Sequence, residues 1–139
     1  MTSRRRGIGD PPVPWAGKRC MALTTFRADG SSVTTPVWFV ADGPELRLWT
    51  GARTAKVKRV RNDPRCILAP CTMSGRVTGP TLNGRARELP IEEGARVQQL
   101  LRAKYPIQKR ALDVYAWLRR RGHPSPPGLD AYLAVTVVP

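Results

Sequence analysis

Leu48-Trp49-Thr50-Gly51-Ala52-Arg53-Thr54-Ala55-Lys56-Val57-Lys58-Arg59-Val60-Arg61-Asn62-Asp63-Pro64 is the stretch in which strand patterning gives way to helix patterning. Leu46, Leu48 and Thr50 share one face of a strand from Glu45 to Thr50, and Trp49 takes the other face. Gly51-Ala52-Arg53 then leads into a short helix from about Thr54 to Arg61. Thr54 is its expected N-cap, Val57 and Val60 fall on one side, and Asn62-Asp63-Pro64 stops it. A strand that feeds a helix through a glycine leaves the first-turn amides free at the positive end of the helix dipole, which is an anion site. Lys56 adds an ammonium in that first turn, and the hydroxyls of Thr50 and Thr54 would donate to the same anion. The spacing alone leaves two readings open, a phosphate site or a solvated basic helix face. A Walker loop is excluded, because G-x-x-x-x-G-K is absent.

Upstream, the pattern is β. Met21, Leu23 and Thr25 alternate with Ala22, Thr24 and Phe26, and Arg27-Ala28-Asp29-Gly30 makes a hairpin turn. Val33 to Ala41 reads as a second strand, with Pro36 marking an edge, a bulge or a gap, since proline cannot donate to the ladder. Downstream, Cys66 to Met73 and Val77 to Leu89 read as strands joined at Ser74-Gly75. Val97, Leu100, Leu101 and Tyr105 mark one amphipathic helix and Ala111, Val114, Tyr115 and Leu118 another. After the proline-rich stretch 124–127, Tyr132 to Val138 is a final strand. The order β-β-β-α-β-β-α-α-β predicts a mainly β (α+β) domain, a small antiparallel barrel with helices at its margin. Residues 1–19, with Arg4, Arg5 and Arg6 and with Pro11, Pro12 and Pro14, read as a flexible basic arm, and residues 20–139 as the folded domain.

A chain of 139 residues fits one domain, able to bury roughly two-thirds of its unfolded surface without metal or disulfide. Its 24 Lys+Arg against 10 Asp+Glu give a net charge of +14, while 41% hydrophobic residues exclude a disordered polycation. No apolar run is long enough to span a membrane, and no apolar stretch follows the N-terminal arginines as in a signal peptide. The expectation is a cytoplasmic protein with no membrane partner. Nineteen of the 24 basic residues are Arg, a skew that a GC-rich genome produces without functional cause. The densest block is residues 51–66, which sum to +5. Such a surface suits polyanions: nucleic acid, anionic lipid or a phosphorylated ligand.

Cys20, Cys66 and Cys71 lack CxxC spacing, so neither a disulfide framework nor a zinc knuckle is supported, and buried inert thiols are expected. The single His123 sits in the loop-like Gly122-His123-Pro124-Ser125-Pro126-Pro127. That leaves no support for a histidine-based triad or a multi-histidine metal site.

The ordered set Leu23-Thr24-Thr25-Phe26-Arg27-Ala28-Asp29-Gly30, Thr34-Thr35-Pro36-Val37-Trp38-Phe39, Leu48-Trp49-Thr50-Gly51, Thr54-Ala55-Lys56-Val57 and Asp63-Pro64-Arg65 resembles the pyridoxamine 5'-phosphate oxidase-like split-barrel superfamily. Ala69-Pro70-Cys71 and Gly75-Arg76-Val77-Thr78-Gly79-Pro80 narrow the resemblance to its actinobacterial deazaflavin-dependent oxidoreductase branch. The resemblance covers about residues 20–104. It implies a homodimer of six-stranded, FMN-binding-type split β-barrels with two cofactor sites at the interface. The cofactor would be the deazaflavin coenzyme F420, or alternatively flavin mononucleotide (FMN).

Residue by residue, the resemblance gives Thr54 and Lys56 to the cofactor phosphate and Thr35, Pro36 and Val37 to the strand running along the ring. It gives Trp49 and Thr50 to the strand end beside the ring, and Arg76 to a contact from the other subunit. Two departures stand out: a Pro-rich segment replaces the N-terminal helix, and the C-terminal Arg-x-His-type substrate motif is missing, so vitamin B6 oxidase activity is not expected. The function implied is hydride transfer between coenzyme and a small conjugated organic substrate. The cofactor carries that chemistry, so no catalytic acid or base and no metal ligand is assigned. A non-catalytic flavin- or deazaflavin-binding protein is the alternative. Nucleic-acid binding is disfavoured, because helix-turn-helix, zinc-finger and aromatic ribonucleoprotein motifs are all absent and aromatics are only 6% of the chain.

Overall fold

A computed structural model of the chain describes residues 12–51, 55–106 and 130–138. Among them, seven strands form one sheet: β1 (Met21–Phe26), β2 (Ser32–Val37), β3 (Val40–Asp42), β4 (Glu45–Gly51), β5 (Arg65–Pro70), β6 (Leu82–Glu88) and β7 (Asp130–Val137). Helix α1 (Ala55–Asn62) follows β4, and a 3-10 turn at Ile91–Glu93 opens into α2 (Gly94–Lys104). The strand order is β2-β1-β5-β6-β7-β4-β3, with every pairing antiparallel. This is the mainly β split barrel with flanking helices that the sequence led us to expect.

The curl of the sheet follows from where its apolar residues meet. Met21 and Leu23 of β1, Val37 of β2, Leu46 and Leu48 of β4, Leu68 of β5 and Leu133 and Val135 of β7 pack in one cluster, although β2 and β4 stand near opposite ends of the strand order. Only a sheet rolled on itself brings those faces together. Leu23, Leu46, Leu48, Leu68 and Leu133 are fully buried there, each contributing about 2 kcal/mol of transfer free energy. Val60 of α1 closes one end of this core, and Val57 of the same helix is also fully buried. A second cluster lies outside the barrel, where Val97, Leu101 and Tyr105 of the α2 region cover Tyr132 and Ala134 of β7, flanked by Trp38 and Trp49.

Three boundaries differ from the pattern reading. The strand expected over Val33 to Ala41 is divided into β2 and β3, which is why seven strands replace six. The break falls at Phe39, whose backbone is bonded to side chains instead of a strand. Its N–H donates to the Tyr105 hydroxyl at 3.3 Å and its carbonyl accepts from Lys104 Nζ at 2.8 Å. The strand expected over Val77 to Leu89 shortens to Leu82–Glu88, leaving Val77 with a single bridge to Cys71, because Gly79 and Pro80 interrupt the ladder. The preceding strand ends at Pro70 rather than Met73 because residues 72–76 close on themselves, Thr72 N–H donating to the Arg76 carbonyl at 2.9 Å.

The helix expected over Ala111 to Leu118 lies outside the described residues, as do residues 1–11 of the N-terminal segment and the proline-rich stretch 124–127. Of the rest of that segment, Val13 is fully buried in the main core and Trp15 meets Phe39 edge to face, with ring centroids 5.6 Å apart. All three cysteines are free and buried. Cys66 faces the barrel core, where burial pushes its thiol up to about 12.

Candidate functional site

The site begins at the end of β4. Thr50 lies in register with Ala131 and Trp49 with Tyr132. Trp49 turns away from the barrel interior and packs under α2, where its indole N–H donates to Asp130 Oδ1 at 3.1 Å. Thr50 is half-buried beside it, and the chain passes through Gly51 toward α1. Thr54, the expected N-cap and phosphate ligand, lies outside the described residues.

Lys56 stands in the first turn of α1, half-buried, and that turn holds no acidic residue. Burial first, and then the neighbouring Arg59, hold its pKa below the ordinary lysine value. Arg59 is itself pushed down by burial and then by Arg27. Arg59 thus feels repulsion from Lys56 on one side and from Arg27 on the other, and none of the three has an ion pair among the described residues. Two half-buried like charges side by side are unfavourable unless an anion joins them. Among the described residues of the basic block, Arg61 is paired with Glu88 at 2.7 Å and Arg65 with Asp63 at 2.8 Å. The described charges of residues 51–66 thus divide into paired Arg61 and Arg65 and, at the start of α1, Lys56 and Arg59 without an ion pair among the described residues.

Arg59 links that turn to the sheet, its Nε donating to Thr25 Oγ1 at 2.6 Å. Thr25 is in register with Val33, and Leu23 with Thr35, so Thr25 and Thr35 lie diagonally on one face of the β1–β2 pair. Thr35 Oγ1 is buried there without a partner among the described residues. A ligand hydroxyl, ring nitrogen or carbonyl would satisfy it, since an unpaired buried hydroxyl costs on the order of 1–3 kcal/mol. Val37 points into the barrel core, and Pro36 occupies the outer face of this edge strand, where the missing N–H costs no ladder bond.

Arg76 is exposed on the loop between β5 and β6. Its backbone N–H donates to Thr72 Oγ1 at 3.1 Å, and Gly75, at φ 95, brings the loop against the Pro36 ring. The Arg76 loop therefore meets Pro36 on the outer face of β2, while Thr35 and Val37 lie on the inner face with Thr25. Thr25 and Arg59 connect that inner face to α1, one helical turn beyond Lys56. Sequence reading missed both of those connecting residues. Arg59 was legible as the residue one helical turn beyond Lys56, whereas Thr25 carries no local signal.

A sequence model of the pyridoxamine 5'-phosphate oxidase family matches residues 15–127. No protein of curated function matches the chain in sequence. Among solved structures, a putative pyridoxamine 5'-phosphate oxidase from Listeria innocua superposes with a TM-score of 0.53 at 16% identity, over 87% of this chain and 85% of that one. A protein described as an F420 reductase superposes with a TM-score of 0.56 at 18% identity, over 89% of this chain and 90% of that one. The haem-storage protein HutZ from Vibrio cholerae superposes with a TM-score of 0.63 at 9% identity, over 88% and 83%. At such identities these likenesses establish a shared fold, which has been put to different uses in those proteins.

Proposed function

Because the chain belongs to the pyridoxamine 5'-phosphate oxidase family, we propose that it is an oxidoreductase that binds the deazaflavin coenzyme F420 and passes hydride between it and a small conjugated organic substrate. The observation that carries this reading is Lys56, a half-buried ammonium at the first turn of α1 beside Arg59, with no carboxylate paired to either among the described residues. A phosphate diester would partly neutralise those cations. Exposed Lys58, on the same helix and without an ion pair among the described residues, extends the basic surface toward an anionic tail. FMN, with a single phosphate, is the alternative ligand of the same turn.

In this reading Thr54 and Lys56 hold the phosphate, and the Thr35 hydroxyl gains the partner it lacks. Thr35, Pro36 and Val37 lie along the ring, with Trp49 and Thr50 at its side. When bound, the coenzyme supplies the hydride chemistry, and the protein supplies orientation and a dry face. The exposed apolar side chains of Met73 and Val77, 57% and 48% accessible, stand on the loop that carries Arg76 and packs against Pro36. They support a homodimer in which a second copy covers this loop and each Arg76 reaches toward its neighbour's cofactor.

Fluorescence titration with F420 and with FMN tests the proposal. F420 is expected to bind more tightly, and Lys56→Ala to weaken it about tenfold or more, the scale of one charge-assisted hydrogen bond. If neither ligand binds below about 100 μM, roughly −5.5 kcal/mol, the oxidoreductase reading fails. Stopped-flow oxidation of the reduced complex by conjugated acceptors separates an enzyme from a carrier.

A further inference from the structure

A second group of reactive side chains lies at the other end of β1, away from the α1 turn. The β1–β5 ladder pairs Ala22 with Ala69 and Met21 with Pro70. One step further it sets Cys20 opposite Cys71, whose N–H donates to the Cys20 carbonyl at 3.4 Å. Directly opposed residues of an antiparallel pair project to the same face. Accordingly Cys20, Ala22 and Cys71 pack as one cluster, against which Trp38 lies. Two residues beyond Cys71 the chain folds back, and the Cys20 Sγ comes within 3.1 Å of Met73 Sδ. All three sulfur-bearing residues line an open pocket of about 360 Å³, which Gly17, Lys18 and Arg19 also line.

We propose that Cys20, Cys71 and Met73 form a binding site for a soft, thiophilic cation of the Cu(I) class. Two thiols and a thioether are the donor set that such an ion selects, and a thioether is a poor ligand for hard or borderline ions. The cavity wall offers neither imidazole nor carboxylate. Among the described residues no three His, Cys, Asp or Glu side chains gather to form a zinc, magnesium or calcium site. On binding, each thiol gives up its proton to solvent and the ion gains two thiolates and the thioether. The resulting complex carries one net negative charge, which the cations of Lys18 and Arg19 at the cavity wall oppose. Cys66 takes no part, because it points into the barrel core.

The proposal does not rest on the cofactor reading, although Met73 stands on the loop that a second copy would cover, and its test does not require the coenzyme. Fully reduced full-length protein is titrated anaerobically with Cu(I) against a chromogenic Cu(I) chelator, and the loaded sample is examined by X-ray absorption. One Cu(I) per chain in a shell of three sulfur atoms is expected. Met73 is largely exposed, so Met73→Leu leaves the fold intact. It is expected to weaken Cu(I) binding by about tenfold or more, the scale on which even outer-shell partners of a metal act. The double variant Cys20→Ser, Cys71→Ser, checked for its melting transition, is expected to lose stoichiometric binding. Nitrogen or oxygen neighbours in the absorption spectrum, unchanged affinity in Met73→Leu, or copper retained by the double variant would each overturn the proposal. Tighter binding of Zn(II) than of Cu(I) would do the same.

Discussion

The Tyr105 hydroxyl lies within hydrogen-bond reach of both backbone groups of Phe39, 3.3 Å from its nitrogen and 2.9 Å from its oxygen. Its single proton is shared between the Arg19 carbonyl at 2.7 Å and the Phe39 carbonyl. Lys104 completes the arrangement, its Nζ donating to Ala16 and Phe39 carbonyls at 2.9 and 2.8 Å and lying 3.6 Å from the Phe39 ring centroid. Thus the C-terminal end of α2 satisfies the backbone at the point where β2 breaks from β3, and it fastens the segment before β1 to the barrel.

Tyr105→Phe leaves the Phe39 N–H and the Arg19 carbonyl without this partner while keeping the ring, which stacks on Trp38 at 4.9 Å. A buried hydrogen-bonding group stripped of its partner costs on the order of 1–3 kcal/mol. The variant should lower the unfolding free energy by that amount, seen as a lower urea midpoint with the slope unchanged. An unaltered midpoint would show that the hydroxyl contributes nothing to closing the β2–β3 break.

Acid stability should depend on Asp42. Its hydrogen bond from Arg96, and to a lesser extent the nearby charge of Arg47, hold its carboxyl below the ordinary value of 3.8. A carboxylate with a depressed folded pKa contributes stability that is fully present above that ordinary value. The contribution is lost as pH falls through the lower folded one. Arg96 is exposed, so screening limits the contribution to about 1 kcal/mol. Urea midpoints measured from about pH 5 to 2 should fall less steeply for Asp42→Asn than for the native chain. Parallel profiles would remove Asp42 from the acid-sensitive set.

What could be read from the sequence was what neighbours in sequence decide. The alternation of β1, the buried pair Val57 and Val60, and the stop at Asn62-Asp63-Pro64 all express local rules, and Lys56 was visible because a helix start is a local pattern. The division at Phe39 was not visible, because the groups that cause it stand 65 and 66 residues further along the chain. Arg59 meets Thr25 across 34 residues, and Cys20 meets Met73 across 53. Those encounters come from the curl of the sheet, so charge and cysteine spacing alone gave no hint of them.

Gly94 has an ordinary helical conformation, at φ −62 and ψ −37, so alanine there would suit the helix by about 1 kcal/mol. The packing opposes it. A Cβ on Gly94 would stand 2.7 Å from Cζ of Tyr132, a ring that is buried and whose hydroxyl accepts from Gln98 at 3.1 Å. Overpacking of this kind costs about 1–3 kcal/mol. Gly94→Ala should therefore lower the melting temperature despite its better propensity, and a rise would mean that α2 can shift away from β7 without loss.

The pH dependence of ligand binding separates the two candidate cofactors and tests Lys56 together. Burial and Arg59 hold the Lys56 pKa below 10.5, so its ammonium is lost at a lower pH than that of a free lysine. Affinity for a phosphorylated ligand should then decline as pH rises through that lowered value, because the neutral amine no longer attracts the anion. On the acid side the ligands differ. A terminal phosphate such as that of FMN takes up its second charge near pH 6, so FMN affinity should rise between about pH 5 and 7. The phosphodiester of F420 carries one charge throughout, and its glutamate tail is ionised above about pH 5.5, so its affinity should stay flat over the same interval. Titrations of both ligands from pH 5 to about 10 would read both limbs. Lys56→Met should abolish the alkaline decline and leave the acid limb unchanged. An alkaline decline that survives in the variant would assign it to another group and remove Lys56 from the phosphate site.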